Sequence, residues 1–332
     1  MRVGFCCKWI GDEVPNTRTT TVAWLNRQTV QEAEARLEEI MLHNIAATAA
    51  LVAQVGMGRR ATRMLRLSSD ILPMYTEPKW GYFYQRPDVQ MYLQNQFATI
   101  GNMARMYDVR LSFHPGQFTV LASHNPDIVT KSIAEFEYHC DMIRWMGYGQ
   151  EFQDFKCNVH ISGREGAQGI INVLPRLSDV ARNVLTIENS ETTWGIEESL
   201  KLVDHCALVL DVHHHWVKTG EYIYPDDPRV ERIVDSWRGV RPVIHYSSPR
   251  EEILNNYDLT ALPNHPKLLA DGHTRAALRA HGDYYINQAL NYWASLFLPT
   301  FDIQTESKMK NVSRDHFLES SGILTSIEAC NA

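Results

Sequence analysis

Ala207-Leu208-Val209-Leu210-Asp211 is a short apolar run that stops on a carboxylate, and Val212-His213-His214-His215 follows it at once. A run without polar alternation suits a strand covered on both faces, the condition of a parallel sheet flanked by helices. Similar runs lie at residues 184–188, 157–160, 110–114, 64–68 and 2–5 before it and at 242–245 and 301–306 after it, eight in all. Between most of them the pattern is helical, as at 29–57, 87–107, 126–147 and 197–205. Asn125-Pro126 supplies an N-cap followed by proline at the first helical position, and Ser190-Glu191 is read as preceding another helix. Strand and helix alternate, no low-complexity linker intervenes, and no internal repeat is visible. These features predict an α/β fold, a (β/α)8 TIM barrel with insertions, over two separate domains. Residues 1–310 are read as one catalytic domain and 311–332 as a C-terminal tail or appended helix.

The bulk properties narrow the function. With 332 residues, 44% of them hydrophobic, the chain can bury a substantial core. Its formal net charge of -7 means that any contact with nucleic acid must come from a local patch. The six cysteines, Cys6, Cys7, Cys140, Cys157, Cys206 and Cys330, form no C-x-x-C pair and read as reduced thiols. Residues 1–9 lack the continuous apolar segment of a signal peptide, and no apolar stretch reaches the roughly 18 residues of a membrane span. The cytoplasm is the expected compartment and membrane association is not expected.

Six of the expected strands finish on a potential metal ligand: His114, His160, Glu188, Asp211, His245 and Glu306. Catalytic groups of a TIM barrel belong at the C-terminal strand ends. Any one of these residues could simply cap a strand. Three carboxylates and three imidazoles converging at a barrel mouth, however, require cations to offset repulsion and desolvation. Mixed nitrogen and oxygen ligation fits manganese, zinc or iron better than calcium or magnesium. His214 is the member of the histidine triplet expected to add a ligand, with His213 and His215 supporting or packing. His281 lies in a loop-like segment and by itself would be surface decoration.

Several segments together resemble the UV damage endonuclease family. They are His114-Pro115-Gly116-Gln117-Phe118, Asn158-Val159-His160-Ile161-Ser162-Gly163, Ile187-Glu188-Asn189, Leu210-Asp211-Val212-His213-His214, Val243-Ile244-His245 and Thr305-Glu306-Ser307-Lys308. Arg66-Leu67-Ser68-Ser69-Asp70-Ile71-Leu72-Pro73 and Ala280-His281-Gly282-Asp283-Tyr284 extend the likeness to roughly residues 2–310. The resemblance implies a barrel like that of endonuclease IV, a cluster of two or three divalent ions, manganese first and zinc second, and nicking of damaged double-stranded DNA 5′ to ultraviolet photoproducts by a monomer. It implies that His114, His160 and Glu188 hold one ion, that Glu188 bridges to a second held by Asp211, His245 and Glu306, and that His214 and His281 hold a third. Glu306 would also position or deprotonate the attacking water and Lys308 would neutralise a phosphate oxygen.

Gln117 and Phe118 stand where the family probes the lesion. Tyr75, Lys79 and Trp80, in an aromatic and basic loop, suit contacts to unstacked bases, and Phe5 takes a family-like place near the mouth. Two departures matter: Val243 replaces a lysine that the family carboxylates, and Glu77 replaces a loop histidine. Glu77 is therefore expected to supply the missing oxygen ligand. Two other functions remain open at this point, a sugar isomerase of the same barrel type and a lesion-binding protein with an impaired cluster.

Overall fold

The computed structural model describes residues 1–321; Cys330 and the end of the expected tail lie outside them. Eight parallel strands form a closed barrel in sequential order: β1 Val3–Cys6, β2 Met64–Arg66, β3 Arg110–Phe113, β4 Lys156–His160, β5 Leu185–Glu188, β6 Ala207–Asp211, β7 Val243–Tyr246 and β8 Asp302–Thr305. Each lies within a residue or two of its expected place. β8 pairs with β1, Gly4 opposite Gln304, and closes the ring.

The connecting helices begin where their sequences dictate. Thr29 and Glu32 form a reciprocal capping box at the start of α1 (Val30–Gly56). Asn125 caps α3 (Pro126–Trp145), following α2 (Pro87–Met106), and both of these helices start on proline. The expected helix at 197–205 is shorter, one turn at Ile196–Ser199 and a 3₁₀ turn at Leu200–Leu202. Ser190 caps no helix: its hydroxyl accepts from the Thr192 and Thr193 N–H groups and folds the chain into a turn. Beyond β8 the chain continues as α5 (Lys310–Ser320), after the short α4 (Val212–Thr219). Phe317 and Leu318 of α5 are buried in the main core, and Arg314 stacks over the Phe5 ring.

Register decides which side chains enter the barrel. Arg66 lies opposite Ser112, Ser112 opposite Lys156, His160 opposite Glu188, and Asp211 opposite His245. With period-two alternation these residues share the interior, while Phe5, Phe113, Ile187 and Ile303 face the surrounding helices. The interior floor is apolar, made of Met64, Ala207, Val209, Val243 and Trp237. Its ceiling, at the C-terminal strand ends, is polar. Among the described residues no helix is long and apolar enough to cross a membrane, and Cys6, Cys7, Cys140, Cys157 and Cys206 are free thiols.

Candidate metal centre

Glu188, wholly buried at the end of β5, occupies the centre of the barrel mouth. Its Oε2 lies 3.1 Å from His245 Nδ1, 3.3 Å from His114 Nε2 and 3.5 Å from His160 Nε2, and also accepts from the Asn158 side chain. Its Oε1 lies 3.4 Å from His214 Nδ1. Glu306 Oε1 stands 3.3 Å from His245 Nδ1 and forms an ion pair with Arg66. Three ligand sets can be drawn with donor atoms within 4.8 Å of one another: His114, Glu188 and His245; His160, Glu188 and His214; and Asp211, His245 and Glu306. All six strand-end residues read from the sequence converge here, and His214 joins them.

Local structure explains that orientation. Asp211 is the N-cap of α4, its Oδ1 accepting from the His214 N–H at 2.6 Å. Successive residues of a helix point about 100° apart, so only one of the three consecutive histidines can face the mouth. His213 stacks on Trp216, and His215 bonds Glu221 at 3.1 Å. Asn189 locks β5 to β6 through two 2.9 Å bonds, one accepting from the Asp211 N–H and one donating to its carbonyl.

Three of the rings show one device in common. His114 Nδ1 bonds the Pro115 carbonyl at 2.9 Å, His214 Nδ1 the Asn189 carbonyl at 3.1 Å, and His281 Nδ1 the Glu306 carbonyl at 2.9 Å. A carbonyl on one ring nitrogen fixes the tautomer and leaves the other nitrogen as a lone-pair donor, the usual posture of a metal-binding imidazole.

The donor set fits divalent cations on independent grounds. Among the described residues ten buried side-chain nitrogen and oxygen atoms lack a hydrogen-bond partner, and three of them, Glu188 Oε1, Asp211 Oδ2 and His245 Nδ1, meet at this one place. Buried polar atoms are rarely left unpaired in folded proteins. Electrostatics point the same way. Burial pushes the Asp211 carboxyl well above its ordinary range, with His214 offsetting only part of the shift. Burial also opposes ionisation of Glu188 and Glu306, yet both are held well below the usual range, Glu306 chiefly by the Arg66 guanidinium. Burial lowers His245 to about 4 and keeps it a neutral donor.

Lys156, at the start of β4, is missed by a reading confined to strand ends. It is 3% exposed, and its Nζ shares a 2.9 Å hydrogen bond with His245 Nε2. Burial lowers this amine to about 8, against the partial opposition of Glu188. Its signal was available: Lys156 and Asn158 precede His160 by four and two residues and so face the same interior. Val243, where the family resemblance expects a lysine, packs into the apolar floor. Arg66 was legible in the same way, as the end of a strand that lacks a ligand of its own.

Other expectations are corrected. Glu77 stays away from the cluster, because its Oε2 accepts from the Lys79 and Trp80 N–H groups at 2.8 and 2.7 Å and so caps its own turn. Phe5 is fully buried against Trp9, outside the barrel wall. Trp80 is buried with Phe83 and Tyr84, and Tyr75 packs on Tyr138 while its hydroxyl donates to Asp141 at 2.7 Å. The aromatic loop therefore packs on the barrel rim. Of its expected DNA contacts only Lys79 is exposed, and that amine donates to Asn26 Oδ1 at 2.6 Å. Lys308 is exposed and pairs with Asp283 at 3.3 Å. His281 lies outside the three ligand sets, its Nε2 at 3.3 Å from Ser247 Oγ. Gln117 lines a cleft of about 590 Å³ above the cluster, and the neighbouring Phe118 is 86% exposed.

Residues 1–277 match the family described as UV-endonuclease UvdE. A UV DNA damage endonuclease of Bacillus velezensis is 31% identical over 198 residues, covering 57% of this chain and 59% of that protein. The chain thus spans less than two thirds of the length of that relative. A UV DNA damage endonuclease of Bacillus mycoides is 25% identical over 318 residues, 90% of this chain and 87% of that protein. The crystal structure of SacUVDE superposes with a TM-score of 0.75 over 99% of both chains at 21% identity, which supports the fold.

Proposed function

From the premise that the chain belongs to the UV-endonuclease UvdE family, we propose that it is a metal-dependent endonuclease that hydrolyses the phosphodiester 5′ to ultraviolet photoproducts in duplex DNA. The observation that carries this is the meeting of three unpartnered buried ligand atoms, on Glu188, Asp211 and His245, beneath an open cleft. His114, His160, Glu188, Asp211, His245 and Glu306 would hold two divalent ions, manganese first and zinc second. Bound there, such ions supply a hydroxide-like nucleophile at neutral pH and neutralise charge on the phosphate and the leaving oxygen.

The chain's own residues do the rest. Arg66 keeps Glu306 ionised and pinned beside His245, where its carboxylate can accept a hydrogen bond from an incoming water and orient it. Burial of Glu188 and Asp211 excludes bulk water, so every charge interaction at the mouth is stronger than at the surface. Phe118, held in solvent at the tip of the loop after β3, is free to stack in the gap left by an extruded lesion, with Gln117 beside it. Lys308, exposed and paired with Asp283 at 3.3 Å, would neutralise a phosphate oxygen once it leaves that partner. The protein would act as a monomer in the cytoplasm.

The test is nicking of ultraviolet-irradiated and untreated plasmid by manganese-loaded protein. Nicking confined to irradiated plasmid and lost in His114→Ala is the expected result. Equal inertness on both plasmids rejects the assignment.

A further inference from the structure

Resting on that reading, we infer that Arg279 is a phosphate-binding residue in the cleft wall opposite Gln117, and that Glu191 holds its guanidinium until a phosphate of the DNA backbone takes the place of that carboxylate.

The fold sets Arg279 across the mouth from the residues that follow β3. In a closed ring of eight strands in sequential order, β3 and β7 stand opposite each other. Gln117 follows β3, whereas Arg279 belongs to the connection between β7 and β8, yet the two line one cleft. The chain around Arg279 is anchored on both sides. Leu278, wholly buried, packs with Trp216, Ile253 and Leu268. His281 pairs with Pro249 in an antiparallel bridge, and its Nδ1 bonds the Glu306 carbonyl at 2.9 Å. From this firm base the Arg279 side chain extends into the cleft, 48% exposed.

Two guanidiniums line the cleft, and they are used differently. Arg66 is mostly buried and committed to Glu306. Arg279 makes one end-on contact, from Nη1 to Glu191 Oε1 at 3.2 Å. A guanidinium carries its N–H donors in a planar fork that matches a pair of phosphate oxygens, and a single end-on bond leaves most of that fork unused. A half-exposed pair of this kind is weak. A bidentate phosphate contact is stronger, and it also releases counterions from the DNA. The exchange of carboxylate for phosphate therefore runs downhill.

The turn after β5 supplies the competing carboxylate. Ser190 accepts from the Thr192 and Thr193 N–H groups through its hydroxyl, and its own N–H donates to the Trp194 carbonyl at 2.8 Å. That turn seats Glu191 with its side chain mostly buried and Oε2 at 3.6 Å from His214 Nε2. The carboxylate is thus fixed in the wall, while its partner is the exposed and adaptable member of the pair.

The experiment is fluorescence anisotropy of the full chain with a labelled duplex carrying one ultraviolet photoproduct, in EDTA so that the duplex stays intact. Wild type, Arg279→Gln, Glu191→Gln and the double variant are compared. Arg279→Gln should bind about tenfold more weakly at about 100 mM salt and lower the slope of log affinity against log salt by about one. A merely structural role would leave that slope unchanged. Glu191→Gln should bind about three- to fivefold more tightly, because the competing partner is gone. In the double variant that gain should shrink below about twofold. Wild-type affinity and slope in Arg279→Gln overturn the assignment. An equal gain from Glu191→Gln in both backgrounds reduces Glu191 to simple repulsion and overturns the exchange. Should Arg279→Gln fail to fold, Arg279→Lys, which keeps the charge and removes the fork, must bind more weakly with a wild-type slope; unchanged affinity overturns the assignment. Wild-type protein that neither binds nor nicks irradiated DNA defeats the endonuclease reading, whereas wild type that does both beside variants that match it defeats Arg279 alone.

Discussion

The two ends of the barrel interior treat buried charge in opposite ways. At the N-terminal end Asp302 is 2% exposed and accepts from the Arg2 N–H at 2.7 Å, from Arg110 at 2.8 Å and from Arg241 at 2.7 Å. Below the mouth the layer is hydrocarbon, with Trp237 donating its indole N–H to the Leu208 carbonyl at 2.7 Å. At the C-terminal end Glu188 and Asp211 are as deeply buried, yet each retains an oxygen without a partner. A buried carboxylate saturated by protein donors is a structural device; one left with an open oxygen among imidazoles is a site for cations. Burial alone therefore does not identify function. What separates the two ends is whether the chain itself completes the coordination.

The sharpest way to break this comparison is to neutralise the central carboxylate of the mouth. Glu188→Gln should reduce nicking ~10³-fold or more and remove bound metal. Its urea unfolding midpoint, measured metal-free, should stay at or above wild type, because an incompletely compensated buried charge has been removed. A marked loss of stability would mean that Glu188 is structural and that the two ends are alike.

Asp302→Ala at the opposite end should do the reverse. It strands Arg110 and Arg241 and should cost about 3 kcal/mol of unfolding free energy, read by urea denaturation, while the manganese isotherm of the folded protein is unchanged. Altered metal affinity would show that the floor and the mouth are coupled.

The smallest of the three effects belongs to Lys156→Met, which tests the layer between the two ends. Methionine keeps the length of the side chain and removes the 2.9 Å bond to His245 Nε2. Manganese affinity should fall by about 10- to 100-fold, the usual cost of losing the partner that orients a ligand. A wild-type isotherm would show that His245 is oriented by packing alone.

The amino-acid sequence by itself determined the fold and which His, Asp and Glu side chains meet at the centre of the mouth. Eight apolar runs separated by helical segments leave little choice but a closed parallel barrel, and period-two alternation places every strand-end His, Asp or Glu at the same mouth. These are local properties, readable from neighbours along the chain. Only the tertiary structure decided how the ligands are completed. Lys156 reaches His245 across 89 positions, and Arg66 reaches Glu306 across 240. The place of Glu191 over the mouth depends on the Ser190 turn, about which a strand-end pattern says nothing. Phe5 and Trp80 passed for DNA contacts for the converse reason: composition shows an aromatic ring but not which face of the wall it packs against. Parity along a strand is encoded residue by residue, whereas distances across the barrel are set by register and closure, which no single segment contains.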